Sequence, residues 1–107
     1  MFMTRFSPEL AKVHGMPESV LFMYLADRVR MREKDVRHFY EGAGWVRSTL
    51  REFSGRFSCW SAGTIQRSLT NLEKKDLIRS TRLGPGDRAK WYTLTKKGHE
   101  TLRGLFK

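Results

Sequence analysis

Between Trp60 and Leu77 the chain reads WSAGTIQRSLTNLEKKDL, and its polar positions carry the groups that recognise base edges. Arginine pairs with guanine, asparagine or glutamine with adenine, and threonine with a phosphate or a thymine methyl. Gln66, Arg67, Thr70, Asn71 and Lys74 supply that set, preceded by Gly63 and Thr64. Ile65, Leu69 and Leu72 fall at i, i+4 and i+7, which on a helix advancing about 100° per residue forms one narrow stripe. The donors and acceptors are thereby turned to the opposite face. Ser61 stands where an N-cap belongs, its hydroxyl able to accept from the first-turn N–H groups. An ordinary amphipathic surface helix has the same periodicity, so the rest of the chain has to separate the two readings.

Charge does part of that work. The chain has 107 residues and a formal charge of +10, but the excess is not spread evenly. Residues 1–44 hold seven Lys or Arg against six Asp or Glu, and residues 45–107 hold fourteen against five. A net of +9 on the segment with the candidate helix favours a polyanionic partner, nucleic acid before anionic membrane. The length is typical of one domain with its own core. Cys59 is the one cysteine, so no intramolecular disulfide forms and a reducing, cytoplasmic setting is expected. The apolar run Val20–Ala26 is far too short to span a bilayer, and MFMTRFSPEL lacks the apolar core of a signal peptide.

The elements that must position the helix are legible in order. Ser7-Pro8-Glu9 opens a short helix expected over Pro8–His14 and stopped by Gly15. A second helix is expected from Pro17 to Arg32. Val20, Leu21, Tyr24, Leu25 and Val29 form its stripe, and Phe22, Met23 and Ala26 widen it almost all round, so it needs cover on more than one side. It is either the central helix of the domain or a subunit interface, and a two-fold dimer through it is expected. Arg30–Glu41 reads as a frayed end and exposed loop, and Glu41–Gly44 as a flexible turn. Trp45–Arg47 is a strand candidate, Ser48 caps a helix from Thr49 to Ser54, and Gly55 closes it. Beyond Leu77 the period changes to that of strands. Ile78–Leu83 and Lys90–Thr95 flank the turn formers Gly84, Pro85, Gly86 and Asp87, giving a hairpin that carries Arg79, Arg82, Arg88 and Lys90. Thr95 caps a last helix over Lys96–Phe106, with Leu102, Leu105 and Phe106 inward. A helix, a turn, a second helix and a basic hairpin make a winged helix-turn-helix. The expected fold is α+β and mostly helical. Its single domain divides into a helical N-terminal part at 1–44 and a winged-helix core at 45–107.

The region Trp45–Leu94 resembles the winged helix-turn-helix superfamily, and YTLTKKGHETL is similar to the strand-to-helix exit of many winged-helix transcription regulators. A narrower likeness joins FSPELAKVHG, the GWVRSTLREFSGRFSCWSAGTIQRSLTNLEKKDLI segment and DRAKWYTL to the N-terminal DNA-binding part of phage and plasmid replication and regulatory proteins. Two departures stand out: those replication proteins continue into a long C-terminal portion, and Asp76 occupies a position where they often have glycine. The resemblance implies phosphate contacts from Ser61 and Thr64 and base-edge contacts from Gln66, Arg67, Thr70 and Asn71. It places Arg82, Arg88 and Lys90 along the DNA backbone or in the minor groove.

Other chemistries find little support. His14, His38 and His99 lie far apart, with no ligand partner at metal spacing. Cys59, between Phe57 and Trp60, reads as a small buried filler with no histidine beside it in sequence. Gly84 and Gly86 serve a turn, since no Gly-Lys-Ser/Thr follows them. No cofactor and no catalysis are expected. Trp45 and Trp60 read as core anchors, and of Trp91 and Tyr92, on opposite sides of one strand, one is core. Double-stranded DNA is the expected partner, for transcription or replication control. The rival is a phage-encoded inhibitor that presents the same basic surface to a host protein complex, in the manner of anti-CRISPR proteins.

Overall fold

The computed structural model describes residues 12, 14–32, 39–40, 43–82 and 89–105. Of the opening helix expected over Pro8–His14, only Lys12 and His14 are described, and both are helical. Gly15 follows with φ +87, the left-handed conformation that suits glycine and separates this turn from what comes next. Helix α1 then spans Met16–Arg32, with Glu18 in its first turn where a carboxylate meets the positive end of the helix. Leu21, Phe22, Met23, Tyr24, Leu25 and Ala26 are each at most 3% exposed. Six consecutive buried residues leave no side of α1 for solvent, so α1 is the central helix of the fold.

What covers α1 is a three-stranded antiparallel sheet and two helices. After the short pair β1 (Phe39–Tyr40) and β2 (Ala43–Gly44), the chain enters β3 (Val46–Ser48). Helices α2 (Leu50–Arg56) and α3 (Ala62–Lys74) follow, then β4 (Ile78–Thr81), β5 (Lys90–Leu94) and α4 (Lys96–Leu105). The sheet order is β3-β5-β4, with Val46 opposite Tyr92 and Ile78 opposite Leu94. Helix α1 packs on α3 and on β2, β3 and β5. At the centre, the Tyr24 ring meets Phe53 and Phe57 edge-on at 6.1 and 5.3 Å, and Phe53 meets Tyr92 at 5.5 Å. Such edge-to-face contacts add about 0.5–1.5 kcal/mol each to the area they bury. They lock α1, α2 and β5 together.

Four local expectations are corrected. Of the flexible turn expected over Glu41–Gly44, Glu41 and Gly42 lie outside the described residues, whereas Ala43–Gly44 is a strand that pairs with Phe39–Tyr40, and the Gly44 carbonyl accepts from Thr93 Oγ1 at 2.7 Å. The cap of α2 is Thr49 rather than Ser48. Thr49 Oγ1 accepts from Glu52 N at 3.0 Å while the Glu52 carboxylate accepts from Thr49 N at 3.3 Å, a reciprocal capping box. Ser48 belongs to β3 opposite Lys90, and Gly55 lies inside the helix, which continues to Arg56. Cys59 is exposed. Phe57 turns into the core and Trp60 stacks on it at 6.1 Å, so the intervening turn points its small residues outward.

The exit from α3 explains the odd aspartate. Asp76 has φ +60, Leu77 N donates to Leu72 O and Asp76 N donates to Glu73 O, both at 3.0 Å. This is the Schellman closure, whose left-handed residue is usually glycine. Thr95 then caps α4, accepting from Gly98 N at 2.9 Å. Gly98 admits no side chain, because a Cβ there would lie 2.2 Å from the Leu77 carbonyl oxygen.

A polar clamp joins α1 to the end of α3. Lys75 Nζ donates to Glu18 Oε1 at 2.7 Å and lies 3.1 Å from His14 Nδ1. Burial of the imidazole and the neighbouring Lys75 ammonium hold the His14 pKa below its ordinary value, with Glu18 pulling the other way and Lys97 adding to the depression. The folded protein therefore binds this proton less readily than the unfolded chain. The contribution is complete above the ordinary histidine value of about 6.5 and is lost as pH falls through the lower folded value.

Two measurements check these assignments. Gly98→Ala is expected to cost about 1–3 kcal/mol of unfolding free energy, as backbone overpacking does; a melting curve unchanged from wild type would refute the close approach. In urea unfolding at a series of pH values, wild type is expected to lose stability faster than His14→Gln as pH drops below about 6.5. Parallel pH profiles for the two proteins would show that His14 carries no such linkage.

Candidate nucleic-acid interface

Helix α3 buries Ile65, Ser68, Leu69 and Leu72 and holds itself against the core by that stripe. Each fully buried aliphatic side chain there stabilises the docking by about 1.5–3 kcal/mol. Ser68 satisfies its hydroxyl by donating to the Thr64 carbonyl at 2.8 Å. The rest of the helix is presented outward in three strips, and they have different surroundings.

The middle strip is Gly63, Arg67, Thr70 and Lys74, all exposed. At its leading end Ser61 is the N-cap, accepting from Thr64 N at 3.1 Å. The Ser61 hydroxyl donates to Thr64 Oγ1 at 3.0 Å, and Arg67 Nη2 donates to the same oxygen at 3.3 Å. The Arg67 side chain is thus folded back over the first turn, where the helix dipole is already positive. Two hydroxyls and the first-turn N–H groups converge on one exposed spot, with the Arg67 guanidinium at its edge. That chemistry suits a phosphate oxygen.

The second strip faces the hairpin. Gln66, Thr70 and Glu73 line a cavity of about 110 Å³ together with Arg82, Lys90 and Tyr92. Strand alternation puts Lys90 on the same face of β5 as Tyr92 and Leu94, the face turned toward α3. Glu73, the acid in this hollow, accepts from Ser80 Oγ at 2.5 Å. Burial pushes the Tyr92 hydroxyl up to about 12, with Glu73 adding to the rise and Arg82 opposing it. Tyr92 therefore remains a neutral donor at the floor of a hollow whose rim bears two cations. Arg79 faces the other side of the sheet, its guanidinium 5.5 Å from the centre of the Trp45 ring.

The third strip faces α1. Asn71 is exposed, but its Nδ2 donates to Glu18 Oε2 at 3.2 Å, so this residue is tied to a neighbouring helix rather than standing free beside Gln66 and Arg67. Arg88 lies outside the described residues. The structure thus brings Gln66, Thr70, Arg82 and Lys90 together, gathers Ser61, Gly63, Thr64 and Arg67 at the helix start, and leaves Lys74 exposed near its end. Sequence reasoning missed Glu18, Glu73 and Lys75. Glu18 is separated from its partners by more than fifty positions, and no local pattern announces the contact.

Comparison with protein-family models matches residues 33–104 to the PadR-like family of transcriptional regulators. Comparisons with curated proteins and with solved structures gave no match. Among the described residues no helix is long and apolar enough to cross a membrane. The match covers well over half of the chain, and the fold it meets packs helices on a three-stranded antiparallel sheet, with a polar helix beside a basic hairpin. The chain belongs to the PadR-like family of winged-helix transcriptional regulators, proteins that bind DNA.

Proposed function

We propose that the protein regulates transcription by seating α3 in the major groove of an operator while the hairpin of β4 and β5 runs along the flanking backbone. One observation carries this reading above the others. Gln66 and Thr70 share a hollow with Arg82 and Lys90, so hydrogen-bonding groups and positive charge meet on one continuous surface. Phosphate contacts set position and groove contacts set sequence preference. In these terms Ser61, Gly63 and Thr64 take a phosphate at the start of α3, and Arg67, Gln66 and Thr70 approach base edges. Lys74, Arg82 and Lys90 neutralise backbone, with Arg88 assigned there from the sequence.

The apolar breadth of α1, the basis for expecting a two-fold dimer, is consumed inside the protomer. Among the described residues the exposed large hydrophobic side chains are Met16 and Met31, near the two ends of α1. A phage- or plasmid-type role and a replication role draw on resemblance alone, and a protein-inhibitor role draws on the basic surface alone. A regulator of transcription is the reading that the family match favours.

Binding of duplexes selected from a random pool tests the assignment. With roughly six phosphates neutralised per protomer, affinity is expected to fall about a thousandfold between ~50 and ~200 mM salt. Arg67→Ala is expected to cost about 1–3 kcal/mol on selected sites and to blur preference, whereas Lys90→Ala weakens selected and random duplexes alike and lowers the salt slope by about one. Equal losses on both duplexes for both variants would overturn the division of roles. Gly63→Ala separates folding from binding. A Cβ there meets nothing closer than 3.6 Å, so helix propensity raises stability by about 0.5–1 kcal/mol, while the added methyl holds a DNA strand away from the first turn. A Gly63→Ala protein that binds as tightly as wild type would mean that DNA does not approach there.

A further inference from the structure

On the α1 side of α3 a carboxylate lies next to the surface assigned to DNA, where it would ordinarily repel phosphate. Glu18 is 13% exposed and both of its oxygens are engaged. Oε1 accepts from Lys75 Nζ at 2.7 Å and Oε2 accepts from Asn71 Nδ2 at 3.2 Å. Lys75 neutralises the charge and is itself held in place, since its Nζ is 3.1 Å from His14 Nδ1 and its carbonyl accepts from Lys97 Nζ at 3.1 Å.

The consequence falls on Asn71. A carboxamide has two N–H donors on one atom and an acceptor on the other. The bond to Glu18 uses one donor, and turning the amide over would set Oδ1 against a carboxylate. Its orientation is therefore locked. One N–H and Oδ1 remain side by side on an exposed residue of α3, the pattern that complements the N7 acceptor and N6 amino donor of adenine in the major groove.

We propose that Glu18 is a positioning residue for sequence readout: from α1 it fixes the side-chain amide of Asn71 in the orientation that pairs with the major-groove edge of an adenine. Lys75 keeps the carboxylate balanced so that it does not drive DNA away. This rests on α3 entering the major groove as proposed above, and the chain then reads sequence with a recognition helix whose outward groups are set partly by its central helix.

The test uses the full chain and a selected duplex in which each adenine in turn is replaced by purine, which lacks the N6 amino group, or by 7-deazaadenine, which lacks N7. Wild type is expected to lose about tenfold in affinity with either analogue at one position. Asn71→Ala and Glu18→Ala are each expected to abolish that discrimination, and the double variant to lose no more than either alone. Glu18→Met fills the same space without an acceptor and gives the same loss, which keeps the test open if the alanine variant folds poorly. Wild-type discrimination in Glu18→Ala or Glu18→Met, or losses from positions 18 and 71 that multiply, would overturn the proposal. A wild-type chain that binds no duplex at low salt would instead defeat the DNA reading on which the proposal stands.

Discussion

The structure depends on the need to cover α1 on every side. A helix that is apolar round most of its circumference cannot lie on the surface, and Leu21 to Ala26 are accordingly enclosed without a break. Helix α3 takes one side, the sheet takes another, and Tyr24 reaches the aromatic group of Phe53 and Phe57 that anchors α2. Each covering element spends its own apolar stripe in doing so. The polar edge of α3 is what remains outside, and its direction follows from where Ile65, Leu69 and Leu72 are buried.

The same packing determines the electrostatics. Strand β5 lies in the middle of the sheet, and its alternation delivers Lys90 to the side of α3 while Tyr92 forms the floor between them. Among the described residues, two acids beside this surface are occupied. Glu73 accepts from Ser80, and Glu18 from Lys75 and Asn71. The ion pair among these contacts contributes little to stability because Lys75 is 40% exposed and solvent screens it. Their importance here is directional, because they decide which way side chains on α3 present their donors.

Much of this was readable from residues alone, for reasons that are local. The α3 period, its Ser61 cap, the Thr95 cap and the hairpin strands depend on neighbours within a few positions, and the coordinates agree with each. The Thr49–Glu52 box is equally local, but Ser48 beside it is an equally good capping residue by type, so residue identity does not choose between them. The exposure of Cys59 is not legible in the sequence, because a turn between two inward aromatics gives no periodic signal of which residue faces out.

By itself the sequence determined the element types, the excess of positive charge on residues 45–107 and the polar composition of the helix after Ser61, since all three follow from residue identity and short-range spacing. Tertiary structure alone decided that α1 is central, that Gln66 and Thr70 share a hollow with Arg82 and Lys90, and that Asn71 is tied to Glu18. Those relations join residues many positions apart, and they are set by which apolar faces meet when the chain closes around α1.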